Sequence, residues 1–308
     1  MRSPTKGLLV SVVPVVVSLL VTPGCIEDVE IGAFTSSEGG ASTPGGATGG
    51  SVSAGEGGEG GRGEAGSPGE CQPVACLGKV YACGDCVDND GDGAVDALDT
   101  QCLGACDDTE DSFSGGLPGQ NNTPCRQDCY FDRDAGSGND DCYYDHACDT
   151  LSVAPDYPPS GDAACEFAEE TKISGTSATC SEVRAEQSEA CLAYCKPLVP
   201  NGCDCFGCCE IPARSGRFVF VGSTVDEIPS CTEETLDDPV ACKACTPVPS
   251  CFERCDACDV CVGEVQPGPG CVSDDRCGGE VPPCGADVAA PCPSDSYCVT
   301  GCCIPVPK

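Results

Sequence analysis

Five aspartates between Cys86 and Cys102 fall at spacings that point to one chemistry. Counted from Asp88, the carboxylates of Asp88, Asp90, Asp92, Asp96 and Asp99 occupy positions 1, 3, 5, 9 and 12, with Gly93 at position 6 and the Ala94 carbonyl at position 7. Ca²⁺ is a hard cation that takes about 6 to 8 oxygens at about 2.3 to 2.6 Å, and a tight loop aims alternate side chains at one point. Gly93 permits the sharp turn this needs. Asp99 stands where a longer, bidentate glutamate is usual, so weaker binding is expected. The expected metal ligands are therefore Asp88, Asp90, Asp92, Ala94, Asp96 and Asp99, and the expected cofactor is calcium.

This ligand order resembles the calcium loop of the EF-hand, but the flanks differ. A sensor EF-hand needs an amphipathic helix on each side, and no helical apolar periodicity borders this loop. Cys86, two residues before the loop, and Cys102, three after it, stand there instead as a loop clamp. In this respect the stretch is similar to the helix-free, cysteine-clamped loops of thrombospondin type 3 repeats. It also resembles the CxDNDGDGxxDxxDxxC segments of cysteine-rich lipoproteins of myxobacterial type. That second resemblance extends in style over most of the chain and implies no activity.

A second acidic, glycine-rich stretch places Asp132, Asp134, Asp140 and Asp141 together, with Gly136 and Tyr143 where further ligands would be wanted. It reads as a possible second metal site, a group completing the first, or a turn held by aspartate side chains. His146 is the single histidine; alone among acids, it is expected to be a surface or hydrogen-bonded side chain rather than a catalytic base. Cys83 and Cys86 have redox CxxC spacing but no βαβ context, which favours structural pairing. Cys242, Cys245, Cys255, Cys258 and Cys261 have spacings that would suit zinc or an iron–sulfur cluster in a cytosolic protein.

The elements that must position these groups cannot rest on a large apolar core. The 308 residues include no Trp, 7 Tyr, 8 Phe and 1 Met, but 33 Cys. At this density cysteine reads as the disulfide framework of an exported protein. If Cys25 is set aside for lipidation, the remaining 32 can close as 16 bridges. The net charge of −35 repels nucleic acid and anionic lipid and favours cationic partners.

In chain order, residues 1–24 read as a signal peptide, with Arg2 and Lys6 ahead of an apolar run from Leu8 to Val21. Gly24 before Cys25 resembles a bacterial lipobox, which implies lipidation of Cys25 and attachment to a membrane through that lipid. Ile26 after it implies the outer membrane or cell surface. Residues 25–70 form a Gly/Ser/Glu-rich linker too polar to fold. A calcium-binding Cys-rich module is expected at 71–165, a helix-and-strand Cys-rich module at 166–230 and a disulfide-rich tail at 231–308. The expected fold is small, disulfide-rich and mostly irregular, with short strands and one helix at about 179–196. Thr179 and Glu182 supply the helix's capping box, and a short strand is expected at 217–222.

Function classes follow from these residues. The favoured one is an exported, membrane-tethered, calcium-binding surface lipoprotein with a structural or binding role, meeting an unknown surface protein or glycan and no nucleic acid. One alternative is a secreted, hydrolase-like enzyme using acidic residues, although no GxSxG, HExxH or phosphate-cradling loop is present. Another is a cation-buffering or adhesion protein using the acidic surface itself. A TIM-barrel lyase is rejected, because the chain has neither eight βα units nor the core to build them.

Overall fold

The computed structural model describes residues 71–115, 125–133, 140–151, 165–172, 176–226, 228–268, 270–271, 277, 281–285, 288 and 291–307. The chain divides into two units, Met1–Gly63 and Glu64–Lys308, and the described residues all belong to the second. The signal peptide, Cys25, the linker and Asp134 lie outside the described residues.

The sequence predicts a disulfide-rich, mostly irregular fold, and that is the fold observed. Sixteen bridges join all cysteines from Cys71 onward. They group along the chain into blocks spanning 71–106, 125–195, 203–251, 255–271 and 277–303, with no bridge between blocks. Cys129–Cys195, Cys142–Cys191 and Cys148–Cys180 cross position 165, and Cys205–Cys251 and Cys208–Cys245 cross position 230.

Among the described residues the strands form antiparallel pairs: β1 (Ala75–Cys76) with β2 (Lys79–Val80), β3 (Arg126–Gln127) with β4 (Tyr144–Asp145), β5 (Cys208–Glu210) with β6 (Phe218–Phe220), β7 (Thr224–Val225) with β8 (Ile228–Pro229), and β9 (Ser296–Val299) with β10 (Cys302–Pro305). The β9–β10 hairpin turns on Thr300 and Gly301, at φ 46° and 76°. Two left-handed residues in a two-residue turn match the twist of the flanking strands. β6 lies where the strand at 217–222 is expected, with Val219 buried.

The helical stretch at about 179–196 is present in two short pieces, α1 (Cys180–Ala185) and α2 (Glu189–Tyr194). Glu182 accepts the Thr179 N–H at 2.7 Å, its half of the capping box. The division comes at Gln187, whose amide nitrogen donates to the carbonyls of Val183 and Tyr143, both at 2.9 Å, while its oxygen accepts the Tyr143 N–H at 3.2 Å. Ser188 then caps α2 by accepting the Cys191 N–H at 3.0 Å. Helices this short do not persist alone in water; the bridges from Cys180, Cys191 and Cys195 pin them to residues 129–148.

The main core combines cystines with Phe113, Tyr130, Phe131, Tyr144, Phe206, Ile211, Val219, Val221 and Val248. Tyr144 stacks on Phe206 with ring centroids 5.0 Å apart. A smaller cluster sets Tyr297 and Val299 of β9 against Cys76, Ala105 and Cys106, beside the acidic loop. No helix among the described residues is long and apolar enough to cross a membrane.

Candidate metal centre

The acidic loop begins where β1, β2 and a 3-10 turn at Ala82–Gly84 bring the chain to Cys86. Cys86 bonds to Cys71 and Cys102 to Cys83, so both flanks are pinned, each to a different partner. This also removes the redox pairing of Cys83 with Cys86.

Inside the loop the aspartates at positions 1, 3 and 5 fold their own backbone. Asp88 accepts the N–H of Gly91 at 2.6 Å and of Gly93 at 3.1 Å. Asp90 accepts from Asp92 at 3.0 Å, and Asp92 from Ala94 at 2.7 Å. Gly91 and Gly93 take φ of 84° and 98°, left-handed values that let consecutive turns close. A carboxylate offers about four lone-pair sites, so these bonds leave each side chain able to ligate. They also hold the position-7 peptide of Ala94 through its own N–H.

Asp96 and Asp99 behave differently from these three and from each other. Asp96, at φ 48°, turns its carboxylate back to the neck of the loop and accepts the Cys86 N–H at 3.1 and 3.3 Å. Asp99 is only 5% exposed. Its Oδ1 accepts the Gln101 N–H at 2.7 Å, while Oδ2 is buried with no hydrogen-bond partner. Burial first, and then the nearby charges of Asp92, Asp90 and Glu110, push the Asp99 carboxyl up to about 7. Burial likewise pushes Asp96 up to about 6, against the lowering effect of the Cys86 N–H.

Glu110 is the residue that spacing does not single out. It sits in an acidic run, 107–111, that looks like one more solvated stretch, yet it is 1% exposed. Its Oε2 accepts the Asn89 N–H at 2.6 Å and its Oε1 the Asp96 N–H at 2.9 Å. No local pattern announces this; the signal is a glutamate a short distance past a cysteine that anchors the loop.

Asp204, Asp149 and Asp107 show what a satisfied buried carboxylate looks like here. Asp204 accepts from Phe206 and Cys208, each at 2.9 Å, on one oxygen and from Val248 at 2.8 Å on the other. Asp149 holds Leu151 and the hydroxyl and N–H of Thr246. Asp107 holds the N–H groups of Leu103 and Thr109 and lies 3.9 Å from the Arg133 guanidinium. In each case both oxygens are used. At Asp99 one oxygen is instead orphaned and faces other acids.

No protein family, curated protein or solved structure matches the chain. The chemistry of the donors must therefore speak for itself. Cys71, Cys86 and Asp96 lie close enough to share an ion, as do Cys83, Cys102 and Glu110, but the cysteines of both groups are disulfide-bonded and offer no thiolate. What remains is carboxylate and carbonyl oxygen, the donor set of a hard cation. Cys242, Cys245, Cys255, Cys258 and Cys261 are likewise all bridged, which removes the zinc-like readings.

In the second acidic stretch, Asp132 and Asp140 are buried and Asp141 is exposed. Asp140 accepts the N–H of Cys129 at 2.9 Å and of Cys142 at 3.3 Å, closing a turn between two cystines. Asp141, at φ 52°, accepts the Tyr143 hydroxyl. The two neighbours therefore face different surroundings.

His146 corrects the expectation of a surface or hydrogen-bonded side chain. It is 1% exposed, and neither ring nitrogen has a hydrogen-bond partner. Its ring packs edge-on against Tyr144 and Phe220, with centroids 5.4 and 5.7 Å away. Burial lowers its pKa to about 4. A neutral imidazole serves there as an aromatic core residue.

Proposed function

We propose that this chain is an exported, lipid-anchored surface protein whose loop 88–99 binds calcium as a structural ion, and whose cystine-built body has a binding or structural role. The observation that carries the calcium reading is the buried, unpartnered Oδ2 of Asp99 facing Asp90, Asp92 and Glu110. A buried anion is tolerated only when paired or bound to a metal, and here its nearest charges have the same sign. A calcium ion held by the loop's own oxygens supplies the missing counter-charge. A loop without flanking helices suits a structural ion, with affinity of about 10⁻⁴ to 10⁻³ M, as for extracellular modules.

A non-catalytic role is supported by how the chain uses its acids and its histidine. Asp107, Asp140, Asp149 and Asp204 hold backbone N–H groups in tight turns. His146 is closed within an aromatic cluster. The export and anchoring reading is supported by the signal-like segment, the Gly24–Cys25 junction and the pairing of every other cysteine.

The test is a calorimetric calcium titration of the oxidised protein, with thermal melts with and without chelator, alongside Asp88→Ala/Asp92→Ala. Saturable binding of about one or two ions that raises Tm and is lost in the double variant is the expected result. Many weak, unsaturable ions would favour cation buffering. No binding, or binding untouched by the variant, refutes the calcium reading.

A further inference from the structure

We propose that Glu110, which lies outside the loop, sets its calcium affinity by holding the backbone in the binding conformation before the ion arrives. This rests on the calcium reading above and names the residue that tunes that site. One carboxylate spans the second and ninth positions, accepting the N–H of Asn89 at 2.6 Å and of Asp96 at 2.9 Å. Those two positions bracket Asp90, Asp92 and Ala94. Fixing them fixes the arc on which the ligands sit.

Glu110 can do this because it is itself held. Its side chain is buried, and its own carbonyl accepts the Gln101 amide nitrogen at 3.0 Å. The Cys83–Cys102 bridge runs beside it, with Cys102 Sγ 3.9 Å from Oε1. Gln101 is in turn the residue whose N–H holds Asp99 Oδ1. Positions 2, 9 and 12 of the loop are thus referred to one buried group. Ordering that is complete before binding need not be supplied by the ion, which raises affinity without adding a ligand. Partners that orient metal ligands in this way typically alter affinity by about ten- to a hundredfold when changed.

The chemistry requires glutamate. The two N–H donors fall on different oxygens of Glu110, Asn89 on Oε2 and Asp96 on Oε1, and glutamine would turn an NH₂ group toward one of them. Aspartate keeps the charge, but its carboxylate stands one methylene nearer its own backbone, so it does not reach both donors. The pair of variants therefore separates positioning from charge.

The experiment is a calcium titration of wild type, Glu110→Asp and Glu110→Gln, each with a chelator-treated melt and amide hydrogen exchange on the metal-free wild type. Both variants are expected to keep the wild-type stoichiometry and lose about ten- to a hundredfold in affinity. In metal-free wild type the Asn89 and Asp96 amides are expected to be protected from exchange. Glu110→Asp binding as tightly as wild type would overturn the proposal, since charge alone would then suffice. Free exchange of the Asn89 and Asp96 amides would overturn it without any variant having to fold. Failure of the wild type itself to bind calcium is distinguishable from both and removes the calcium reading together with this inference.

Discussion

Replacing Asp99 by asparagine should have opposite effects on the metal-free and calcium-loaded protein. In the metal-free fold the Asp99 carboxyl titrates at about 7, against 3.8 for the ordinary group, because it is buried beside other acids. A folded pKa raised above the unfolded one means that the fold prefers the protonated form. Stability is then full below about pH 4 and is lost as pH rises toward 7 and above. A tenfold change in proton affinity is worth about 1.4 kcal/mol, so the ionised group costs at most about 4 kcal/mol at pH 8. Allowing for solvent reaching the neighbouring exposed loop, about half of that is the realistic gain on removing the charge. Asp99→Asn should therefore raise the Tm of chelator-treated protein at pH 8 by about 4 to 8 °C, with the difference almost gone at pH 4. In saturating calcium the same variant should melt below wild type, because the ion loses an anionic ligand. Melts at both pH values, with chelator and with calcium, give the four numbers needed. If metal-free Asp99→Asn is no more stable than wild type at pH 8, or loses nothing in calcium, the assignment of Oδ2 to the ion is wrong.

Three further outcomes follow from other buried groups. His146 has a folded pKa of about 4, below the ordinary 6.5, so its contribution is complete above about pH 6.5 and is lost as pH falls toward 4; His146→Phe should flatten the acid limb of the Tm–pH curve. Asp204→Ala removes the acceptor for three backbone N–H groups and should destabilise by about 3 kcal/mol or more in denaturant unfolding of the oxidised protein. Tyr297 buries a hydroxyl with no partner, and Tyr297→Phe should be neutral or stabilising by about 1 kcal/mol in the same assay. A clear loss there would reveal a hydrogen bond to that hydroxyl.

Short-range physics was legible in the sequence and tertiary physics was not. The Thr179–Glu182 capping box starts a helix because its donors and acceptors lie within one turn. The break at Gln187 could not be read, because its cause is the backbone of Tyr143, 44 residues away. Cysteine parity implied that all bridges close within the chain, yet it carried no information on which thiols meet. In the loop, the regular spacing of Asp88, Asp90 and Asp92 is matched by consecutive turns in which each accepts a backbone N–H two to five residues on. Glu110 reaches the loop through a fold made by Cys83–Cys102, and His146 lies in the core because Phe220 and Tyr144 converge on it; neither has a local signature.

The blocks into which the cystines fall bear on how such a chain can fold at all. Thirty-two thiols could pair in an enormous number of ways, and most would be traps. Here the widest bridge, Cys129–Cys195, spans 66 residues, and no bridge links one block to another. In an oxidising compartment, a chain emerging amino-terminus first would have every disulfide partner of the first block present once residue 106 has appeared, before the next block contributes a thiol. Each later block repeats this, so the search for partners is always among a few neighbours. The order of the sequence thus does for oxidation what a large apolar core does for an ordinary domain, by narrowing the alternatives before they can compete.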